Sequence, residues 1–228
     1  MKSIGKIASF YFKKLEFIAK LDFVNVHLRL ETRNLPPMTM DISPLTVEEM
    51  DMRDEAQIKS GLEIHNDAYE RNWKHVNYEK KIVNHPLVRI LKTNFVMDGT
   101  KPIAANSFGV WRKNEKIGVG HYVGVRKEYQ NRGLGKYLML FRTQTLKDMG
   151  VEIINLETNL SHPKAIMMHF DRGFVIKDGP DPWNTPDFFP SIVRRIVNYR
   201  LRKLYIQWKA VRNNGAGRDG RTGLHLSG

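Results

Sequence analysis

The stretch EYQNRGLGKYLML, residues 128–140, sets two glycines two residues apart behind a polar run, and an apolar helical pattern starts at once. A helix N-terminus carries unpaired N–H groups and partial positive charge. Bare glycine backbone lets an anion come close to those donors, so the spacing suits a phosphate or pyrophosphate. Two familiar phosphate loops do not fit. A Walker loop needs G-x-x-x-x-G-K-[ST], but Tyr137 follows Gly135 and Lys136. A dinucleotide fingerprint needs a third glycine, where Leu138 stands. Around this loop the chain offers proton-transfer groups: His121 before it, Glu157, His162 and His169 after it, and His65 well upstream. An imidazole changes charge near neutral pH and can carry a proton either way.

The elements that must position these residues are legible by pattern. Residues 87–126 read as antiparallel strands, with a hairpin turn at Asp98 and Gly99 and a polar turn at RKNEK. After the loop, Leu134, Leu138, Phe141 and Met149 mark one face of a helix that Gly150 ends. VEIINLET is then a strand, HPKAIMMHFDR a short helix with Pro163 in its first turn, and GFVIK a last strand. Upstream, MTMDI is expected as a short strand. SPLTVEEM is expected to open a helix, capped by Ser43 or Thr46, that continues to about Trp73 with a possible break at Gly61. Helices, then antiparallel strands, then strand–loop–helix–strand–helix–strand give an α/β chain of the α+β type, with a mixed sheet and helices packed on it.

Gln130, Asn131, Arg132, Gly133, Leu134 and Gly135 form a Q-x-x-G-x-G pattern. In its setting, VGHYVGVRKEYQNRGLGKYLMLF, it resembles the strand, pyrophosphate loop and helix of the GCN5-related N-acetyltransferase (GNAT) superfamily. VEIINLET is similar to that family's next strand, and HPKAIMMHFDRGF to its closing helix. The resemblance covers about 87–177 well and begins near 41. It implies the acyl-CoA N-acyltransferase fold, with a mostly antiparallel central sheet, and transfer of an acetyl group from acetyl-CoA to a primary amine by direct attack in a ternary complex. The pyrophosphate would lie on backbone amides of Arg132, Gly133, Leu134, Gly135 and Lys136. Main chain at Val123, Gly124 and Val125 would hold the pantetheine arm, and an N–H at Val123 or Gly124 would polarise the acyl carbonyl, by the logic of an oxyanion hole. No protein nucleophile is required.

The same resemblance frames the acid and base. Aligned on Ala165, Gly173 and Phe174, the family's usual tyrosine acid falls at His169, and His162 stands where the family often has asparagine. His169 can donate a proton near neutral pH; the alternative is a residue on the helix surface. The family's glutamate base aligns with Val119, and alternation puts Val119, His121, Val123 and Val125 on one face. His121 can then take a proton through water, or be a half-buried, hydrogen-bonded histidine. Glu157 is a further candidate, against a solvated strand-end charge. IHNDAYERNW, residues 64–73, occupies the region that shapes the acceptor pocket in this family, with His65, Asn66, Tyr69, Glu70 and Trp73 as its polar and aromatic members. Tyr69 and Trp73 at i, i+4 also fit simple helix packing. No metal is expected: His65 and Asp67 lack partners at ligand spacing and no H-E-x-x-H occurs.

Composition bounds the rest. The chain of 228 residues has no cysteine, which excludes disulfides, thiolate catalysis and cysteine-ligated metals. Its first thirty residues scatter lysines among apolar residues with no signal-like apolar run, and a cytoplasmic location is expected. The net charge of +13 sits at the ends: residues 191–228 hold nine Lys/Arg against one acid, and 1–40 hold seven against three. Three parts are therefore expected: a basic amphipathic extension over 1–40, the acetyltransferase-like domain over 41–190, and a basic helix with a disordered tail over 191–228. In that helix Arg195, Arg202 and Lys209 recur on one side. A basic end suits weak contact with nucleic acid or anionic membrane, so a non-catalytic module with this fold, recruited by its ends, is the second functional reading.

Overall fold

The computed structural model describes residues 25–35, 38–159 and 162–176, with Tyr199, Leu201, Lys203, Tyr205, Ile206 and Ala210 further on. The amphipathic reading of the first residues, the basic stripe of Arg195, Arg202 and Lys209 and the tail lie outside them. Two compact units are present. One comprises 27–157 with 171–177; the other includes 158–170.

A seven-stranded sheet organises the first unit. Its strands are β1 (Asn25–Glu31), β2 (Thr46–Glu49), β3 (Val88–Asp98), β4 (Lys101–Trp111), β5 (Asn114–Val125), β6 (Ile153–Asn159) and β7 (Val175–Ile176), in the spatial order β2-β3-β4-β5-β6-β1-β7. The pairs β2/β3, β3/β4, β4/β5 and β1/β7 are antiparallel, and β5/β6 is parallel. The mixed, mostly antiparallel sheet is the expected one. Asn25–Glu31, within the stretch expected as an extension over 1–40, is a strand of this sheet between β6 and β7.

Two differences arise upstream. MTMDI forms no strand. Thr46–Glu49 is an edge strand paired residue by residue with Met97 back to Asn94, not the start of a helix. Thr46 and Val47 are β-branched and find a partner strand, which outweighs the acidic residues that mimic a helix start. Helix α1 (Glu55–Tyr69) begins later, where Asp54 accepts hydrogen bonds from the N–H groups of Ala56 and Gln57. Gly61 does not break it. A Cβ there would collide with the Tyr78 hydroxyl, so the glycine makes room for that ring against the helix. Glu70, in the left-handed region at φ 52°, ends α1, and Trp73 lies beyond it.

Helix α2 (Leu134–Asp148) follows the glycine loop. It buries Leu134, Leu138 and Leu146, whereas Met149 is half exposed at its end. Together α1 and α2 cover opposite faces of the sheet. A Cβ at Gly118 would meet Leu146 and one at Gly120 would meet Arg142, both on α2; one at Gly124 would meet Ile64 and Ala68 on α1. These three even-numbered residues face different sides because β5 carries a bulge: Asn106 pairs with Val123 but Phe108 pairs with Gly120, leaving one extra residue in β5. The bulge reverses the alternation. Val123 and Val125 pack with Leu134 and Leu138 on the α2 side, while Tyr122 packs with Ile64 and Tyr78 on the α1 side. The single-face grouping of His121 with Val123 and Val125 is therefore corrected.

In the second unit, α3 (Pro163–Asp171) buries Ile166, Met167, His169 and Phe170. The Phe170 ring lies 4.8 Å from that of Tyr205, whose hydroxyl donates to the Phe170 carbonyl at 2.9 Å.

Candidate active site

The parallel pairs between β5 and β6 run from Ile117–Ile153 to Gly120–Leu156 and stop, although both strands continue. Past Gly120 the two strands part, and the β6-side edge of β5 is open. Register decides which backbone groups use that edge. The Arg126 N–H donates to the Ile103 carbonyl at 2.9 Å, which makes Ala104–Val125 a non-hydrogen-bonded pair and Ala105–Gly124 a hydrogen-bonded one. Gly124 therefore spends its N–H on β4, while the polar backbone groups of Val123 and Val125 point into the opening. Their carbonyls are held from both ends of the site. The Tyr69 hydroxyl donates to the Val123 carbonyl at 2.7 Å, and Gln130 Nε2 donates to that of Val125 at 3.0 Å.

The glycine loop sits beside this edge. Asn131 and Gly133 take positive φ, 64° and 84°, and swing the chain into α2. No side chain caps the helix, and its first internal acceptor is the Gly133 carbonyl, bonded by the Tyr137 N–H. The N–H groups of Leu134, Gly135 and Lys136 are thus the helix's orphan donors. Nothing lies within 4 Å of a Cβ built on Gly135, so a ligand can reach them. The loop is braced around its rim. Tyr129 donates to Asp98 at 2.9 Å, Lys101 pairs with Glu128 at 2.9 Å, and the Arg132 guanidinium donates to the Glu128 carbonyl while lying 5.0 Å from the centre of the Tyr129 ring. Helix α1 adds its own ties: Glu63 to Arg126 at 3.5 Å, Asp67 to the Lys127 N–H at 2.7 Å, and Glu70 to Lys127 at 2.9 Å.

These donors and spaces fit a CoA thioester. Orphan N–H groups at an open helix terminus suit the pyrophosphate, and the unpaired edge at Val123 and Val125 suits an extended amide-bearing arm. The residues expected for cofactor binding thus meet in one unit, but with divided labour: Gln130 braces the strand, Asn131 and Gly133 shape the turn, and Leu134, Gly135 and Lys136 present donors.

The expected acceptor residues also divide. His65 is at the centre of an aromatic group, its ring 4.2 Å from Trp73 and 4.8 Å from both Tyr69 and Tyr122. Burial first, then the charges of Arg71, His121 and Lys81, push its pKa down to about 4. A small pocket opens beside it, between Ile64, Tyr78, Ile82 and Tyr122 over Gly124. Asn66 is structural: its amide receives the Trp73 N–H at 2.9 Å and donates to the Trp73 carbonyl at 3.0 Å, folding the chain back after α1. Glu70 is spent on its ion pair with Lys127.

Of the proton-transfer candidates, His121 lies on the α1 side. It donates Nε2–H to the Lys81 carbonyl at 2.5 Å, its ring is 5.1 Å from that of His85, and burial pushes its pKa down to about 4. The ring is neutral at pH 7, with Nδ1 as its acceptor. Glu157 is half-buried on β6, and its carboxylate helps raise the Tyr122 hydroxyl, pushed up to about 12 chiefly by burial. Tyr122 went unread in the sequence, although an aromatic beside the loop strand was its signal. His169 lies on α3 in the second unit and is buried, not a surface residue. Arg142, on α2, is buried as well, with burial holding its pKa down at about 10. Among the described residues no cluster of His, Asp or Glu is placed to hold a metal, and no helix is long and apolar enough to cross a membrane.

A sheet whose parallel central strands part beside an open helix N-terminus has the acyl-CoA N-acyltransferase fold. The acetyltransferase (GNAT) family matches residues 58–174, more than half of the chain, and the chain belongs to that family. Among solved structures it is similar to a GCN5-related N-acetyltransferase from Sphaerobacter thermophilus, with 15% identity and a TM-score of 0.53 over 67% of this chain and 48% of that one. A tandem GNAT protein from the clavulanic acid biosynthesis pathway matches at 12% identity and a TM-score of 0.51, over 66% of this chain and 49% of that one. The ribosomal-protein-S18-alanine N-acetyltransferase from Escherichia coli matches at 18% identity and a TM-score of 0.48, over 60% and 79%. The chain thus spans about half the length of the first two, and such identities establish the fold alone. A comparison with curated proteins finds no match.

Proposed function

We propose that this protein is an N-acyltransferase that takes its acyl group from a CoA thioester, acetyl-CoA being the simplest, and passes it to a primary amine. The observation that carries the reading is the parting of β5 and β6 beyond Gly120, next to the uncapped N-terminus of α2. Bound there, the thioester supplies an activated carbonyl. Leu134, Gly135 and Lys136 hold its pyrophosphate by N–H donation, and the edge of Val123 and Val125 aligns the arm and offers an N–H to the carbonyl oxygen. Donors fixed in advance stabilise the oxyanion with little reorganisation.

The neutral amine attacks the carbonyl carbon, a C–N bond forms, the C–S bond breaks, and CoA leaves as thiolate. The amine's proton must go to a base, and the thiolate must gain one. His121 Nδ1 is the proposed proton acceptor on the α1 side, where the pocket beside His65 and Tyr122 would take the amine; Glu157 is the further candidate. His169 remains the proposed acid.

Calorimetric titration with CoA and acetyl-CoA tests the site, and acetyl transfer to a panel of amines tests the activity. Saturable binding of both and turnover with at least one amine are expected; a chain that binds neither thioester nor CoA is not an acyltransferase of this kind. His121→Ala and His169→Phe are each expected to lower turnover about a hundredfold or more, at the low end of general acid–base effects, while CoA affinity stays within about twofold. A variant that keeps full turnover loses its place in the proton path.

A further inference from the structure

Among the described residues, Arg142 is a buried cation against β5 that this reaction leaves unused. It occupies the stripe of α2 formed by Leu134, Leu138 and Leu146, spaced four residues apart, and is only 2% exposed. Its guanidinium lies flat on the β5 backbone at Gly120: a Cβ there would stand 2.9 Å from Cζ and 3.1 Å from Nε and Nη2. The glycine is what admits the group. Its Nε is buried with no hydrogen-bond partner among the described residues. Among the described residues no carboxylate offsets its charge. A buried charge without a partner is costly and rare.

Gly120 is also the last β5 residue paired with β6. An arm running from the N-terminus of α2 along Val125 and Val123 reaches the bulge next and Gly120 after it. Arg142 therefore lies against the β5 residue at which the opening ends. This step rests on the acyl-CoA reading above.

We propose that Arg142 is a specificity-determining residue that receives a carboxylate at the far end of the acyl group, so that the preferred donor is the CoA thioester of a short dicarboxylic acid. A guanidinium fork matches a carboxylate with two parallel N–H donors and always carries charge. The chemistry of transfer is unaltered. The amine nitrogen forms its bond to the thioester carbon, the C–S bond breaks, and the distal carboxylate remains on the amide product. The competing role is structural. Asn106 donates Nδ2–H to the Leu138 carbonyl of the same helix at 3.2 Å, and its Oδ1 is buried without a partner among the described residues.

Calorimetry on the full chain separates these roles, with CoA, acetyl-CoA, malonyl-CoA and succinyl-CoA as probes. One of the two carboxylate-bearing thioesters is expected to bind about tenfold to a hundredfold tighter than acetyl-CoA, as a new charge-assisted pair gives. In Arg142→Met, which keeps the unbranched stem, that preference falls to about one; in Arg142→Lys, which keeps the charge and loses the fork, it falls partway. The wild-type comparison stands even if a variant fails to fold. Equal affinity of the wild type for acetyl-, malonyl- and succinyl-CoA overturns the inference and leaves the acyl-CoA reading intact. Equal weakening of every probe in a folded Arg142→Met also overturns it. If neither CoA nor any thioester binds, both fall.

Discussion

Gly135→Trp is expected to lower the affinity for CoA and acetyl-CoA by about a hundredfold or more while leaving the melting temperature nearly unchanged. The size follows from what the indole would cover. The N–H groups of Leu134, Gly135 and Lys136 form the anion cradle, and a hydrogen bond to a charged group contributes about 1.5–3 kcal/mol; losing two is more than a hundredfold in binding. The fold is spared because nothing lies within 4 Å of a Cβ at this position, and glycine has no positive φ here to defend. Gly133 would be a poorer probe. Its φ is 84°, and a Cβ there would stand 2.8 Å from Met40 Cε, so any substitution disturbs the turn as well as the ligand. Calorimetry beside a thermal melt makes the measurement. Undiminished affinity in a folded Gly135→Trp would remove the cofactor from the N-terminus of α2.

What was legible in the sequence was what local rules decide. The glycine pair at 133 and 135, between a strand and an apolar helical pattern, can be read without tertiary knowledge, and so can the Asp98–Gly99 turn, where Gly99 takes φ 59°. Where two local rules compete, the sequence misleads. Ser43, Thr46 and two glutamates look like a helix start, but Thr46–Glu49 finds the edge of β3 and becomes a strand. A single inserted residue in β5 is invisible to a period-two reading, yet it moves Val123 and Val125 to the face opposite Tyr122. Side-chain roles fare similarly. Asn66 and Glu70 have the chemistry of acceptor ligands, and only contacts seven or more residues away, with Trp73 and Lys127, show that they hold the chain instead. Arg142 had a signal in the sequence, a charge within a leucine stripe, but its meaning required knowing that Gly120 lies beneath it.

The acid side of the stability profile should expose His65. The ring is 4% exposed, surrounded by Tyr69, Trp73 and Tyr122, and its Nε2 has no hydrogen-bond partner among the described residues. Burial and neighbouring positive charge hold its pKa at about 4, below the ordinary 6.5. Between those values the unfolded chain binds the proton and the folded chain does not, so stability rises with pH across that window. The contribution is fully present above about pH 6.5 and is lost as pH falls through about 4. At 1.36 kcal/mol per pKa unit it amounts to about 3 kcal/mol, or a fall in melting temperature of roughly 6–12 °C for a chain of this size. His121, held down in the same direction, adds to the loss, so the wild type alone does not isolate His65. His65→Phe does: phenylalanine fits among the same rings and cannot take up a proton. Melting curves of both proteins at pH 7, 6, 5 and 4 should diverge, with the variant keeping stability that the wild type loses. Parallel curves would mean that the ring can accept a proton where it stands, and that the pocket beside it is wetter than its aromatic walls imply. The consequence bears on function, because those walls border the space proposed for the amine. Protonating His65 would place a cation in a pocket that must take its substrate as a neutral amine, so turnover should fall on the acid side together with stability.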